Sequence, residues 1–247
     1  KSKGLNVSSG IGVTFSCIDK VGILDRVFPA RIDCFLYDLI EKHDYIVCRL
    51  PSFLGLRAYN IAKKLRKVVL VELVGCIFDS LINHGSVAGK VLAVFEYRKI
   101  RMALSKSENT IYVTNSFLQK RYPSKTEGFP ISNVELVSHG YLATVNKEVT
   151  KLAFIGSLAT KYKGLGDLLR AVADIKELYP NLELHVLGGG KRDEYVKLSY
   201  KLGISRDVYF YDPIPGGDMV LKWLSQFDVY IHPSHTEGLP RSLIEAM

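Results

Sequence analysis

Val229-Tyr-Ile-His232-Pro233-Ser234-His-Thr-Glu237-Gly238-Leu239-Pro240-Arg241-Ser242-Leu243-Ile-Glu245 reads as a short apolar strand, a polar loop and a helix opened by proline. That order is how an α/β sheet builds an anion site at its carboxyl edge. Proline suits the first helical turn, so the amides of Arg241, Ser242 and Leu243 are expected to be free to face an anion. Glu237 stands in the loop and Glu245 more than a turn inside the helix. A carboxylate offers about four lone-pair sites, which suits sugar or ribose hydroxyls. Either acid alone would read equally well as a helix-start charge offsetting the dipole or as a solvated helix acid. The pair, following His232-Pro233-Ser234, points to a ligand with both phosphate and hydroxyls.

Outward from this stretch, short β-rich runs alternate with segments of helical period from Asp44 onward, the pattern of βα units and a parallel sheet. Toward the end of the chain, strands are predicted over Lys151–Ile155, Glu183–Leu187, Val208–Tyr211 and Asp228–Ile231. Helices are predicted over Leu165–Leu178, Arg192–Leu202, Asp218–Gln226, and from Pro240 on. Earlier strands are predicted over Tyr45–Arg49, Val68–Val74, Thr110–Thr114 and Val134–Ser138. The helices between them are predicted near Phe53–Arg66, Gly89–Leu104 and Ser116–Tyr122. Within residues 1–43 only Cys34–Lys42 reads as helical. The polar stretch Tyr141–Thr150 has no period and separates the halves. The expected fold is α/β, with one Rossmann-like domain over 1–145 and a second over 146–247.

Two further strand-end loops belong to the second half. Ile155-Gly156-Ser157-Leu-Ala-Thr-Lys161-Tyr-Lys163-Gly164 joins a strand to a helix through glycine and two lysines. Glycine admits a ligand to the backbone, and a lysine at the sheet edge can neutralise a diphosphate. A surface loop with ordinary glycine punctuation is the alternative. His185-Val-Leu-Gly188-Gly189-Gly190-Lys191-Arg192 resembles two nucleotide motifs and satisfies neither. The dinucleotide fingerprint needs Gly where Asp193 stands, and the phosphate loop needs Ser or Thr where Arg192 stands. A triple-glycine turn over the sheet edge remains.

Taken in order, Ile155-Gly-Ser-Leu…Lys163-Gly164, Leu187-Gly-Gly-Gly, Asp228-Val-Tyr-Ile-His-Pro-Ser and Glu237-Gly-Leu-Pro-Arg-Ser-Leu-Ile-Glu-Ala-Met247 resemble the donor domain of the retaining glycosyltransferases of family 4, the group 1 GT-B enzymes. They cover nearly all of residues 151–247. The resemblance implies a GT-B fold, two Rossmann-like domains facing each other across a cleft, and transfer of a sugar from a nucleotide diphosphate to an acceptor hydroxyl with retention. It implies that Glu237 contacts the transferred sugar and Glu245 the ribose. Gly238, Leu239 and the amides of Arg241, Ser242 and Leu243 would hold the diphosphate, with Lys163 as its catalytic cation, beside the backbone of Gly156, Gly188 and Gly189. The family usually has Arg where Ser157 stands, which leaves neutralisation to Lys163 with help from Lys161. The base would sit near Gly188–Gly190 and the loop Tyr211–Pro213.

The first half resembles the acceptor domain more weakly, through Arg49-Leu-Pro-Ser-Phe-Leu-Gly55 and Val71-Glu-Leu-Val-Gly75. Family members often place His after a strand there. None follows Val68–Val74 directly, so His84 and Glu72 are the acceptor-side candidates, with His139 as a further one. A surface-loop histidine is the competing reading. No cofactor beyond the donor substrate and no metal is implied, and no Asp-x-Asp pair occurs.

Composition narrows the partners. Hydrophobic residues make 47% and charged residues 23%, an ordinary globular balance that rules against disorder. No run approaches the ~18–20 apolar residues that span a bilayer. Both ends read as mid-domain sequence, so a fragment is expected. Cys17, Cys34, Cys48 and Cys76 form no Cys-x-x-Cys pair and read as buried hydrophobes in a reducing cytosol. The net charge of +8 is one-sided: residues 1–150 carry 21 Lys/Arg against 13 Asp/Glu, and the remainder 12 against 12. That excess suggests an anionic partner, an anionic membrane face or an acidic acceptor, unless it is a solvated helix face. Nothing resembles an aromatic nucleic-acid platform. The expected partners are a nucleotide-sugar donor and a glycan or lipid-linked acceptor, with the protein cytoplasmic and peripheral at the membrane. A GT-B sugar-nucleotide epimerase and a non-catalytic nucleotide-binding fragment are the alternatives.

Overall fold

The computed structural model describes residues 10–18, 21–83, 87–132, 134 and 149–247. The described residues form two units. One comprises 10–132 with Glu237–Leu239, the other 134 and 149–236 with Pro240–Met247. The boundary expected at 145/146 lies outside the described residues. So do His84, His139 and all but the first residue of the strand expected over 134–138.

The first unit runs α1 (Ile23–Val27), α2 (Ala30–Glu41), β1 (Tyr45–Leu50), α3 (Phe53–Lys64), β2 (Val68–Leu73), α4 (Ile77–Ile82), α5 (Val87–Leu104), β3 (Asn109–Tyr112), α6 (Phe117–Arg121) and β4 (Phe129–Pro130). Its strands pair in the order β1-β2-β3-β4, all parallel. The β-branched run of β2 buries Val69, Val71 and Leu73, which form the core with Cys48, Leu50, Tyr59, Ile100, Leu104 and Leu118. Ser52 caps α3 by accepting the amide of Gly55 at 2.9 Å. Arg57 on α3 ion-pairs with Asp33 on α2.

The second unit runs β5 (Lys151–Ile155), a 3₁₀ turn (Lys161–Lys163), α7 (Leu165–Ile175), β6 (Glu183–Leu187), α8 (Asp193–Lys201), β7 (Val208–Tyr211), α9 (Asp218–Leu224), β8 (Val229–Tyr230) and α10 (Arg241–Ala246). Its order is β7-β6-β5-β8, again all parallel. The central strand β5 is a near-continuous apolar run with Leu152, Ala153 and Phe154 all buried, as expected of a parallel strand buried on both faces. On α7, Leu165, Leu168, Leu169 and Val172 recur at helical spacing and pack on Leu184 and Val186.

Three sequence expectations need correction. Residues 23–27 are helical rather than loop or edge strand, too short a segment to show a period. Asp228–Ile231 is a regular strand only over Val229–Tyr230, although the Asp228 amide still donates to Lys151 O at 3.0 Å and that of Ile231 to Ala153 O at 2.8 Å. The Asp228 carboxylate accepts the amides of Thr150 and Lys151 at 2.9 and 2.8 Å. Of the four cysteines only Cys48 and Cys76 are buried; Cys17 and Cys34 are exposed. Cys48 faces inward from β1, where burial pushes its thiol up to about 11. Cys34 sits on an exposed position of α2.

Candidate donor-binding site

The carboxyl edge of the second sheet is stitched by backbone hydrogen bonds. The Gly156 amide donates to Leu187 O at 3.0 Å, that of Leu158 to Gly189 O at 2.8 Å, and that of Gly188 to Tyr211 O at 3.2 Å. The loops after β5, β6 and β7 therefore continue the sheet beyond its strands. Gly188 is needed for that closeness: a Cβ there would lie 1.9 Å from Gly156 O. The loops enclose an open concavity of about 370 Å³, lined by Gly156, Ser157, Gly188 and Gly189 with Ile155, Leu187, Pro213, Ile214 and Val220. Four of the expected donor residues thus share one pocket. Its apolar floor and glycine rim suit a flat ring with a polar tail.

Lys163 ends the 3₁₀ turn beside this pocket, its Cβ 3.7 Å from where a Gly156 side chain would begin. The turn is fixed from two sides. Gly164 adopts φ +75° and its α-carbon faces Pro233, whose carbonyl oxygen would lie 2.2 Å from an added Cβ. The His235 amide donates to Tyr162 O at 2.8 Å, and its ring meets Asp167 Oδ2 at 2.9 Å. The loop after β8 therefore positions the lysine turn. Lys161, by contrast, is solvent-exposed and bonded to Glu194 Oε1 of α8 at 2.8 Å, a contact that raises its pKa.

The quoted opening stretch becomes β8, a loop and α10. Pro240 is the N-cap residue rather than the first helical one, and its carbonyl accepts the amides of Leu243 at 3.1 Å and Ile244 at 3.2 Å. The amide of Leu243, expected to be free, is therefore engaged by the helix's own first turn; Arg241 and Ser242 lead the helix. The Tyr230 hydroxyl donates to Ser242 Oγ at 2.7 Å and tethers α10 to β8. Glu245 lies 3.9 Å from the Arg241 guanidinium. Burial raises its pKa, with Arg241 pulling the other way.

Glu237, Gly238 and Leu239 group with the first unit, where Leu239 packs against the core, whereas Lys163 and α10 belong to the second. Glu72, on β2, faces Arg49 of β1 in register, with its carboxylate 3.6 Å from Arg49 Nε.

Residue reading gave no role to the cluster around His185. This buried histidine meets Tyr211 OH through Nδ1 at 2.8 Å and Glu183 Oε2 through Nε2 at 3.0 Å. It stacks on Tyr209, and Trp223 packs between Tyr211 and Phe227. The signal was available: Glu183, His185, Tyr209 and Tyr211 alternate along β6 and β7, so they share one sheet face. Among the described residues, no group of three or more His, Cys, Asp or Glu is gathered to hold a metal ion.

The edge glycines, the lysine turn and the proline-capped helix define a class. Residues 143–247 match the family described as glycosyl transferases group 1. Along nearly its whole length the chain is similar to Protein CapJ of Staphylococcus aureus, 32% identical over 249 residues, which is 98% of this chain and 63% of CapJ. The chain therefore spans less than two thirds of that relative's length. Among solved structures, S. aureus TarM in complex with fondaparinux, alpha-GlcNAc-glycerol and UDP has a TM-score of 0.59 at 16% identity, covering 87% of this chain and 42% of TarM. WaaG, a glycosyltransferase involved in lipopolysaccharide biosynthesis, has 0.54 at 16%, covering 92% and 75%. At these identities the likeness concerns the fold, which is the GT-B pairing of two Rossmann-like units in one chain.

Proposed function

We propose that this protein transfers a sugar from a nucleoside diphosphate donor to an acceptor hydroxyl, with retention of anomeric configuration, during assembly of a polysaccharide, lipopolysaccharide or glycolipid. The observation that carries this reading is the glycine-rimmed pocket at the carboxyl edge of the second sheet, within the segment that matches the group 1 family. The nucleoside would lie on Leu187, Pro213 and Val220. Glu245 is the candidate partner of the ribose hydroxyls, and Lys163 with the amides leading α10 the candidate counter-charge for the diphosphate.

The chemistry asked of these groups is electrostatic. As the bond between the anomeric carbon and the β-phosphate oxygen breaks, negative charge grows on the phosphate. A fixed cation nearby lowers that barrier without reorganising, an effect usually larger than any other single contribution. The new bond forms from the acceptor oxygen on the same face, and the acceptor proton leaves to the departing phosphate. Glu237 would hold hydroxyls of the transferred sugar. Resident cofactors play no part in this scheme; the donor is itself the nucleotide. TarM, whose complex holds UDP and a GlcNAc-glycerol, and WaaG, involved in lipopolysaccharide biosynthesis, are consistent with a nucleotide donor and a cell-surface glycan acceptor. The excess positive charge of residues 1–150 favours an acceptor, or a membrane carrying it, that is anionic.

The test is a thermal-shift screen of UDP, GDP and ADP, followed by turnover with the matching sugar nucleotide. A ligand held at 100 times its Kd stabilises by about 2.7 kcal/mol. Stabilisation by one nucleotide and a product whose first-formed anomer matches the donor by NMR are expected. No shift with any of the three rejects the donor site, and binding without turnover rejects the enzyme reading. Glu237→Gln should abolish transfer while leaving the nucleotide shift largely intact.

A further inference from the structure

The outward face of α5 is not the polar face expected of a helix packed on a sheet. Its inner side buries Ala93, Ile100, Ala103 and Leu104. Its outer side places Val87, Val91, Val94, Phe95 and Met102 within about one third of the helical circumference. Val87 is 79% exposed, Val91 59%, Phe95 56% and Met102 59%. A solvated helix would place charged residues on that strip. Cations do flank and interrupt it: Lys90, Arg98 and Arg101 are all exposed. The one acid of the helix, Glu96, lies toward the inner side and accepts Lys99 at 2.8 Å. The exposed face is thus apolar and cationic, with no exposed acid.

We propose that this face of α5 docks the protein on an anionic lipid bilayer, with the helix in the plane of the interface. An apolar strip among lysines and arginines matches acyl chains below and lipid phosphates above, the complementarity that holds interfacial helices. Among the described residues no helix is long and apolar enough to cross a membrane. The inference rests on the membrane-facing part of the proposed function and is independent of the donor chemistry.

Flotation of the full chain with vesicles of phosphatidylcholine, with and without phosphatidylglycerol, tests it. Retention is expected on the anionic vesicles and should fall as salt shortens the Debye length. The double variant Val91→Asp/Phe95→Asp should lose retention roughly tenfold or more, and Arg98→Gln about fivefold. All these positions are exposed, so the melting curve followed by far-UV circular dichroism, to which the first unit contributes, should be unchanged. Failure to float, or flotation indifferent to the variants, overturns the proposal. Self-association that the double variant abolishes, without vesicle retention, would assign the face to a second copy instead. Either failure leaves the nucleotide thermal shift unaffected, so the donor reading is judged separately.

Discussion

A methyl group on Gly188 would meet the Gly156 carbonyl oxygen at 1.9 Å, and one on Gly164 would meet Pro233 O at 2.2 Å in a left-handed backbone. Backbone atoms cannot rotate aside as a side chain can, so each substitution must open a loop. Gly203 has the same φ, +75°, with nothing near its would-be Cβ. Gly203→Ala should therefore cost only the left-handed penalty, about 1–2 kcal/mol, whereas Gly164→Ala should cost clearly more and weaken nucleotide binding by displacing Lys163. Urea melts of the two variants measure the difference; equal losses would show that the Pro233 contact yields easily. Glu245 carries a second residue-scale expectation. Its folded pKa is raised by burial, so the protonated form is favoured and its contribution is present below the unfolded pKa. That contribution disappears as pH rises through the folded value, which leaves the ionised carboxylate a cost at neutral pH. Glu245→Gln should thus melt no lower than wild type at pH 7, its relative advantage shrinking toward pH 4, while nucleotide stabilisation weakens. A lower melting temperature at pH 7 would mean that the Arg241 contact outweighs burial.

Strands β6 and β7 carry their own polar core within an apolar sheet. His185 is satisfied at both ring nitrogens, by Tyr211 OH and Glu183, and is covered by Tyr209 and Phe227. Removing it leaves two partners short of a bond in a half-buried place, where an unmade hydrogen bond costs about 1–3 kcal/mol. His185→Ala and Tyr211→Phe should each destabilise, and together by less than their sum, with a coupling on the order of 0.5–3 kcal/mol. Strict additivity in that double-mutant cycle would mean that the ring stacking, not the hydrogen bond, holds His185. At this scale the sequence was highly legible where periodicity is strong: Lys151–Ile155, Glu183–Leu187 and Val208–Tyr211 form strands at the predicted bounds. It was less so at ends decided by tertiary partners. Helix α7 stops at Ile175, three residues before the predicted end, and Pro240 caps α10 rather than joining it. Local pattern foretold that the loops after β5 and β6 meet at one edge. It could not foretell that Lys161 reaches Glu194 on α8, because that pairing depends on how the helices lie over the sheet.

Two hydrophobic cores with no shared buried residue imply two folding units in one chain. The charge asymmetry visible in the sequence follows the same division, the basic excess falling with the α5 face and the neutral part with the nucleotide pocket. The chain contains a single tryptophan, Trp223, on α9 of the second unit. It packs edge-on against Tyr211 with ring centroids 5.8 Å apart, so its fluorescence reports the state of that unit alone. Helices of both units contribute to far-UV circular dichroism. A ligand that binds only the folded second unit adds its binding free energy to that unit's stability and to no other. With a nucleoside diphosphate at about 100 times its Kd, the tryptophan transition should move to higher urea by the equivalent of about 2.7 kcal/mol. The circular dichroism trace should then split, its earlier part unmoved, because coincident transitions are the mark of one cooperative unit and these would no longer coincide. If both probes shift together by the same amount, the two cores unfold as one, and binding at the second sheet stabilises the whole chain.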